Sequence, residues 1–323
     1  MPVNETLSTY SDWCYGAATL IYVFAMIGYA IEQAFTRTAK KSEVAVLVGA
    51  GGPEVDTPDG GPAYGRVEAG AGRSRAERAG RVAVALTALG VALHLGSLVL
   101  RGVATQRAPW GNMYEYGMAT MLVAVIGWLV LMRKFDVRRM GVFVLTPVVI
   151  LMFLGGTVLY TEAAPVQPAL QSYWLVVHVS AAIISSGLLL IPGVFSLLYL
   201  AKVRHDADQS RFARLGPKLP DADTLDRLAY RTTIFAFPIY TFGIICGAIW
   251  AEAAWGRFWG WDPKETVAFV AWVVYAGYLH SRATAGWRGS RAAVINSVAF
   301  AVVVFNLFFI NLVVSGLHSY AGG

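Results

Sequence analysis

The residues best suited to chemistry lie in one run, Trp250 to Glu265. Here Trp250, Trp255, Phe258, Trp259 and Trp261 are interleaved with Gly256 and Gly260, ahead of Asp262-Pro263-Lys264-Glu265. Two readings of the rings stand side by side. One is an aromatic belt at a membrane interface, where Trp is enriched. The other is a platform for a flat ligand, with the glycines leaving room between rings. Trp255 and Trp259, four residues apart, would share one face of a short helix. Asp262 and Glu265 read first as an N-cap and its third-position acid around Pro263, a capping box that opens a helix. Arg257 and Lys264 are the only basic residues of the loop, available to ligand carboxylates or to lipid headgroups.

The elements that must position this run are membrane spans. The chain has 323 residues, 56% hydrophobic and only 14% charged, against about 25% charged in an average soluble domain. That deficit excludes a water-facing globule of this size and a large soluble catalytic domain. At about 20 residues per span, eight apolar stretches can be marked: 15–35, 82–102, 113–132, 140–160, 174–201, 232–250, 264–281 and 292–315. The expectation is an all-α polytopic bundle, 1–323, forming a single integral membrane domain. The segments after the odd-numbered spans carry 22 Lys and Arg, and the opposite side carries four, Arg101, Arg107, Arg257 and Lys264. By the positive-inside rule both termini and the 251–265 loop lie outside. The net charge of +6 is thus a topology signal and gives no support to a nucleic-acid partner. Segment 36–81, rich in Gly and Pro, is expected to be a flexible cytoplasmic loop, and 202–231 to hold a short amphipathic helix at the inner interface. The N-terminus has no basic n-region and reads as a retained first helix.

On this topology the five histidines separate by depth. His178 and His318 reach the outer layer that holds the Trp loop. Each alone suits an interfacial or helix-bonded role; together they suit the two axial positions of a haem, whose propionates would then meet Arg257 and Lys264. His280 closes the seventh span at its inner end, about 25 Å of helix from Asp262, and is either solvated or functional. His94, mid-span, reads as a helix–helix hydrogen bond, and His205 as solvated. Cys14 and Cys246 form no CxxC or CxxCH, so neither a thiol–disulfide exchanger nor a c-type cytochrome is indicated.

Taken together these residues resemble the CcsA (ResC) family of system II cytochrome c biogenesis, haem-handling proteins with the WWD signature. Trp255 to Glu265 matches W-G-x-[FY]-W-x-W-D-P-K-E throughout. Tyr173–Val179 is similar to the family's first external histidine region, Gly316–Tyr320 to its second and Tyr278–His280 to its transmembrane histidine. Pro109–Glu115 is similar to its motif before the third span. The resemblance implies an integral protein of the bacterial plasma membrane, or thylakoid equivalent, with haem b as cargo and substrate. Haem would enter near His280, with a second ligand from a CcsB (ResB) partner. It would then be held outside by His178 and His318 under Trp255, Phe258, Trp259 and Trp261, with Arg257 and Asp262 beside it. There it would be joined to the CxxCH thiols of an apocytochrome kept reduced by a thiol-reducing pathway, a cytochrome c haem lyase activity in which His178 and His318 are the catalytic pair. The alternatives are CcmC-like delivery of haem to a chaperone, whose proteins have six spans, and an electron-transferring cytochrome b, which needs paired histidines on two facing helices. A small-molecule transporter lining its path with Asn306 and Asn311 is the third, without visible inverted repeats.

Overall fold

The structure, a computed structural model, describes residues 3–49, 75–165, 171–284 and 287–318. The regular elements described are helices: α1 (Glu5–Gly49), α2 (Arg75–Thr105), α3 (Met113–Lys134), α4 (Gly141–Thr157), α5 (Tyr173–Ala207), α6 (Ala222–Trp255), α7 (Pro263–Ala283), α8 (Ser290–Phe305) and α9 (Asn311–Val313). A π-helical turn, Asn306–Ile310, joins α8 to α9. The result is the expected polytopic helical bundle. Leu20, Phe24, Ile27, Phe153, Phe235 and Ile245 point outward, while His94, Arg101, Glu115 and Asn296 are buried. A bundle in lipid has this distribution, because hydrocarbon tolerates apolar side chains and leaves polar groups to pair internally.

Seven of these helical segments are both long and apolar enough to cross a membrane. The eighth expected span, α7, has 21 residues, about 31 Å. Lys264 and Glu265 at one end, with His280 and Arg282 at the other, dilute its apolar stretch, and it falls short on hydropathy rather than on length. It packs against α6 and α8.

Close helix contacts follow from small residues. Tyr22 and Tyr29 of α1 lie against Gly90 of α2 and Gly141 of α4, where a Cβ would overlap each ring. Hydrogen bonds then pin the α1–α2 pair: Tyr29 Oη to Thr87 Oγ1 at 3.2 Å, and Tyr22 Oη to His94 Nδ1 at 3.5 Å. His94 thus makes the helix–helix contact expected of it. One core cluster joins α1 to α6, and a smaller one joins Leu189, Ala236, Tyr240, Ala271, Tyr275, Ala299 and Val303 across α5 to α8.

Three expectations change. The amphipathic segment near 222–231 is the first part of α6, capped by Asp221, whose Oδ1 accepts from Thr224 N at 2.7 Å. Leu225, Leu228 and Ala229 are buried in the main core, so the helix has no reason to turn along the interface. His205 is buried, not solvated: its Nδ1–H donates to the Arg211 carbonyl at 2.9 Å, and Gly216 packs on its ring as the chain folds back after α5. Finally, α1 runs to Gly49 and α2 starts at Arg75, so the flexible segment expected at 36–81 is helical at both ends; its Gly- and Pro-rich centre, 50–74, lies outside the described residues.

Candidate functional site

At one end of the bundle the N-termini of α3, α5 and α7, the C-terminus of α6 and the chain beyond α8 surround a cleft. Its empty space is about 1370 Å³ including its open mouth. His178 and His318 both line it, with Trp250, Trp255, Phe258 and Trp259.

His178 sits in the second turn of α5, and its Nδ1 lies 2.7 Å from the Gly243 carbonyl oxygen of α6. A carbonyl only accepts, so Nδ1 carries the proton and Nε2 keeps its lone pair. The ring fits because residue 247 is glycine: a Cβ there would come within 2.6 Å of His178 Cε1. One turn on, Trp250 stacks on the imidazole, interplanar angle 7° and centroids 6.3 Å apart. Gly243, Gly247 and Trp250 are spaced as one face of α6.

His318 is held from the other wall. Asp262 caps α7, its Oδ1 accepting from Lys264 N at 3.1 Å, and Glu265 closes the capping box through Asp262 N at 3.1 Å. The same carboxylate accepts from Leu317 N at 2.8 Å and from His318 Nδ1 at 2.9 Å. Gly316 permits this approach, since a Cβ there would meet Asp262 Oδ2 at 2.6 Å. Burial pushes the Asp262 carboxyl up, but the bonds from His318 and Leu317 outweigh it and hold the group below its ordinary range. Burial and the nearby Lys264 charge lower the His318 pKa against the pull of Asp262. His318 is therefore neutral, with its proton on Nδ1 and its lone pair on Nε2. Trp250 lies 5.9 Å from its ring, and Trp255 presents an edge at 5.0 Å. Among the described residues, neither Nε2 has a hydrogen-bond partner. Two neutral imidazoles that reach one aromatic cleft with free Nε2 atoms fit a planar, iron-centred ligand, and the carbonyl and carboxylate behind them are the groups that orient such ligands.

Other expected residues sit apart. Arg257 pairs with Glu265 (3.2 Å) and lies over the Trp255 ring; it does not line the cleft. Trp261 is 65% exposed, with φ of 57°, and packs on Trp259 and Phe269, outside the cleft lining. Trp255 ends α6, and Gly256 in the left-handed conformation (φ 70°) turns the chain, so Trp259 is on a loop and shares no helix face with Trp255. His280 is exposed in the last turn of α7, about 25 Å of helix from Asp262.

Pro109–Glu115, singled out in the sequence only by its likeness to a family motif and given no part in the site, forms the opposite lip. Trp110, Asn112 and Tyr116 line the cleft from a loop built like the tryptophan loop. Glu115 accepts from Gly111 N at 2.8 Å and from Arg107, eight residues earlier, at 2.6 Å, and Asn112 caps α3. Glu265 likewise accepts from Gly260 N at 2.9 Å and from Arg257, eight residues earlier, while Asp262 caps α7. The repeated spacing of Arg, cap residue and Glu was the available signal. Arg101, Asp12 and Tyr160 anchor the first loop to α1 and α2: Arg101 bonds Glu115 at 3.1 Å and Asp12 at 3.3 Å, and Tyr160 donates to Asp12 at 2.9 Å.

Among known proteins, a family profile described as Cytochrome C assembly protein matches residues 110–318, from Trp110 on one lip to His318. The chain is 38% identical over 231 residues to the cytochrome c biogenesis protein CcsA of Chlamydomonas reinhardtii, covering 69% of this chain and 64% of that protein. It is 42% identical over 173 residues to the CcsA of Guillardia theta, covering 49% and 58%, and 34% identical over 245 residues to that of Heterosigma akashiwo, covering 66% and 76%. The chain therefore spans less than two thirds of the first two relatives it matches. Among solved structures, Cytochrome c Heme Lyase CcmF aligns with a TM-score of 0.63 at 16% identity, over 95% of this chain and 47% of that one, a likeness of fold.

Proposed function

The chain belongs to the cytochrome c assembly family, and we propose that it carries haem to the outer membrane face and presents it there, between His178 and His318, to apocytochrome CxxCH thiols. The observation that carries this reading is the pair of Nε2 atoms in one cleft, without partners among the described residues, each ring fixed by a hydrogen bond behind it. Among the described residues no group of three or more His, Cys, Asp or Glu could hold a bare metal ion. Two imidazoles suffice where a macrocycle supplies the remaining nitrogens of the iron.

Thioether formation asks little of side-chain acids and bases. Each thiol adds across a vinyl group: sulfur bonds to the inner carbon, the hydrogen ends on the outer carbon, and no net oxidation occurs. The cleft's part is orientation, which converts a bimolecular encounter into a positioned one. The substrate's CxxCH histidine replaces one axial imidazole as the product leaves. Haem loads near His280 at the inner end, where a CcsB-type partner provides the second ligand; the exposure of His280 supports a ligand completed from outside the chain. The reading makes the complex a cytochrome c haem lyase of the bacterial plasma membrane or thylakoid.

Co-expression with a CcsB-type partner and a CxxCH reporter, in cells lacking their own maturation system, tests this. Haem-dependent staining of the reporter should appear, and His178→Ala or His318→Ala should abolish it. Undiminished staining in both variants would remove the axial assignment.

A further inference from the structure

Resting on that reading of the cleft, we propose that Lys264, held by Asn311, receives a carboxylate of the bound ligand, so that the site selects a tetrapyrrole with free acid side chains over one without them. Of the loop's two cations, Arg257 is already neutralised by Glu265. Lys264 is the one that lines the cleft, together with both histidines. Its ammonium donates to Asn311 Oδ1, a neutral acceptor, and no described carboxylate lies within ion-pair distance of it. An ammonium has three donors, so the side chain enters a largely apolar cleft with no ion-pair partner among the described residues, the field of Asp262 apart, and with donors to spare. Such a charge is costly away from water unless an anion joins it.

The surroundings are built to keep it there. The π-helical turn Asn306–Ile310 delivers Asn311 to the cleft, and π-turns of this kind are frequent at functional sites. Asn311 Nδ2 donates to the Leu307 carbonyl at 2.6 Å, which leaves Oδ1 directed at Lys264. Asn306 Nδ2 donates to the Lys264 carbonyl at 3.4 Å, while its own Oδ1 is buried without a partner among the described residues. The chain thus spends two asparagines on placing one lysine.

The test uses the full chain purified in detergent and stripped of haem, titrated with iron protoporphyrin IX and with its dimethyl ester, which lacks free carboxylates. Wild type should bind the free acid about ten- to hundredfold more tightly, the effect of one charge-assisted hydrogen bond. Lys264→Met should lose that preference while binding the ester as wild type does, which also shows that the variant is folded. Lys264→Arg should keep the preference, and Asn311→Leu should reduce it. If wild type binds both compounds equally, or Lys264→Met still prefers the acid, the assignment of Lys264 is overturned. If neither compound gives a spectrum that depends on His178 and His318, the haem reading of the cleft itself fails, and the lysine assignment with it.

Discussion

A histidine binds iron through one nitrogen, and what its other nitrogen does decides which one. His178 rests on a backbone carbonyl and His318 on a carboxylate, so the two proposed axial ligands differ in character. A carboxylate behind an imidazole raises its basicity, and losing such a partner commonly costs ten- to hundredfold in affinity. Asp262→Asn keeps the helix cap, because Asn caps a helix about as well as Asp, but its NH2 faces a donor where the carboxylate accepted from both sides, from Lys264 N and His318 on Oδ1 and from Leu317 N on Oδ2. The variant should bind haem about ten- to hundredfold more weakly and lose about 1–3 kcal/mol of stability, read by absorption titration and thermal unfolding; equal affinity would mean that the carboxylate does not tune His318. The depressed His318 pKa has a sign that can be checked. Because the group stays neutral below the usual value near 6.5, the two-histidine spectrum of wild type should persist as pH falls through about 6.5 and fade only at lower pH. Loss beginning above that value would show an exposed, ordinary imidazole.

At the scale of elements, glycines and buried ion pairs decide where the ligand-bearing turns lie. Gly247 and Gly243 occupy neighbouring turns of α6, but a Cβ at 247 would meet His178 at 2.6 Å, whereas one at 243 would meet Ala181 at an ordinary 3.4 Å. Gly247→Ala should therefore displace His178 and give a one-histidine spectrum, and Gly243→Ala should leave the spectrum intact. The same spectrum in both would mean that the α5–α6 contact adjusts freely. On the opposite lip, Glu115 and Arg101 are fully buried. Glu115→Gln removes the anion that Arg101 and Arg107 share and leaves buried Arg101 with Asp12 alone, and breaking a buried pair costs up to about 3–5 kcal/mol, whereas Lys202→Ala removes a surface pair worth roughly 0.5 kcal/mol. Thermal unfolding in detergent should show a clear loss for the first and almost none for the second. The Arg, cap and Glu spacing of the two lips was legible in the sequence. That both lips face one cleft was not, because nothing local to either loop specifies the packing of α3 beside α5.

For the whole molecule, composition and loop charge carry most of the architecture. The bundle, its helices and the tryptophan-loop end could be read in advance, because an apolar stretch of span length has few alternatives to a membrane helix. By the positive-inside rule the asymmetry of Lys and Arg predicts that end on the outside, and intact cells can test it. In a Cys14→Ser background, Phe258→Cys, at a position 60% exposed in the loop, should react with a membrane-impermeant maleimide. Arg288→Cys, exposed at the other end, should react only after permeabilisation. The reverse pattern would invert the proposed orientation.

The sequence by itself determined the membrane bundle, the dense tryptophan run, the capping box at Asp262 and the two candidate histidines, because each is written in local composition or in spacings of a few residues. Tertiary structure decided which of these meet. Asp262 reaches His318 across 56 residues, and Gly243 reaches His178 across 65. Lys264 rather than Arg257 lines the cleft, and Trp261 turns away while Trp110 and Trp250 turn in. Side-chain direction at a helix end depends on which neighbour leaves room for it. That is set by helices distant in sequence, and period and composition contain no record of them.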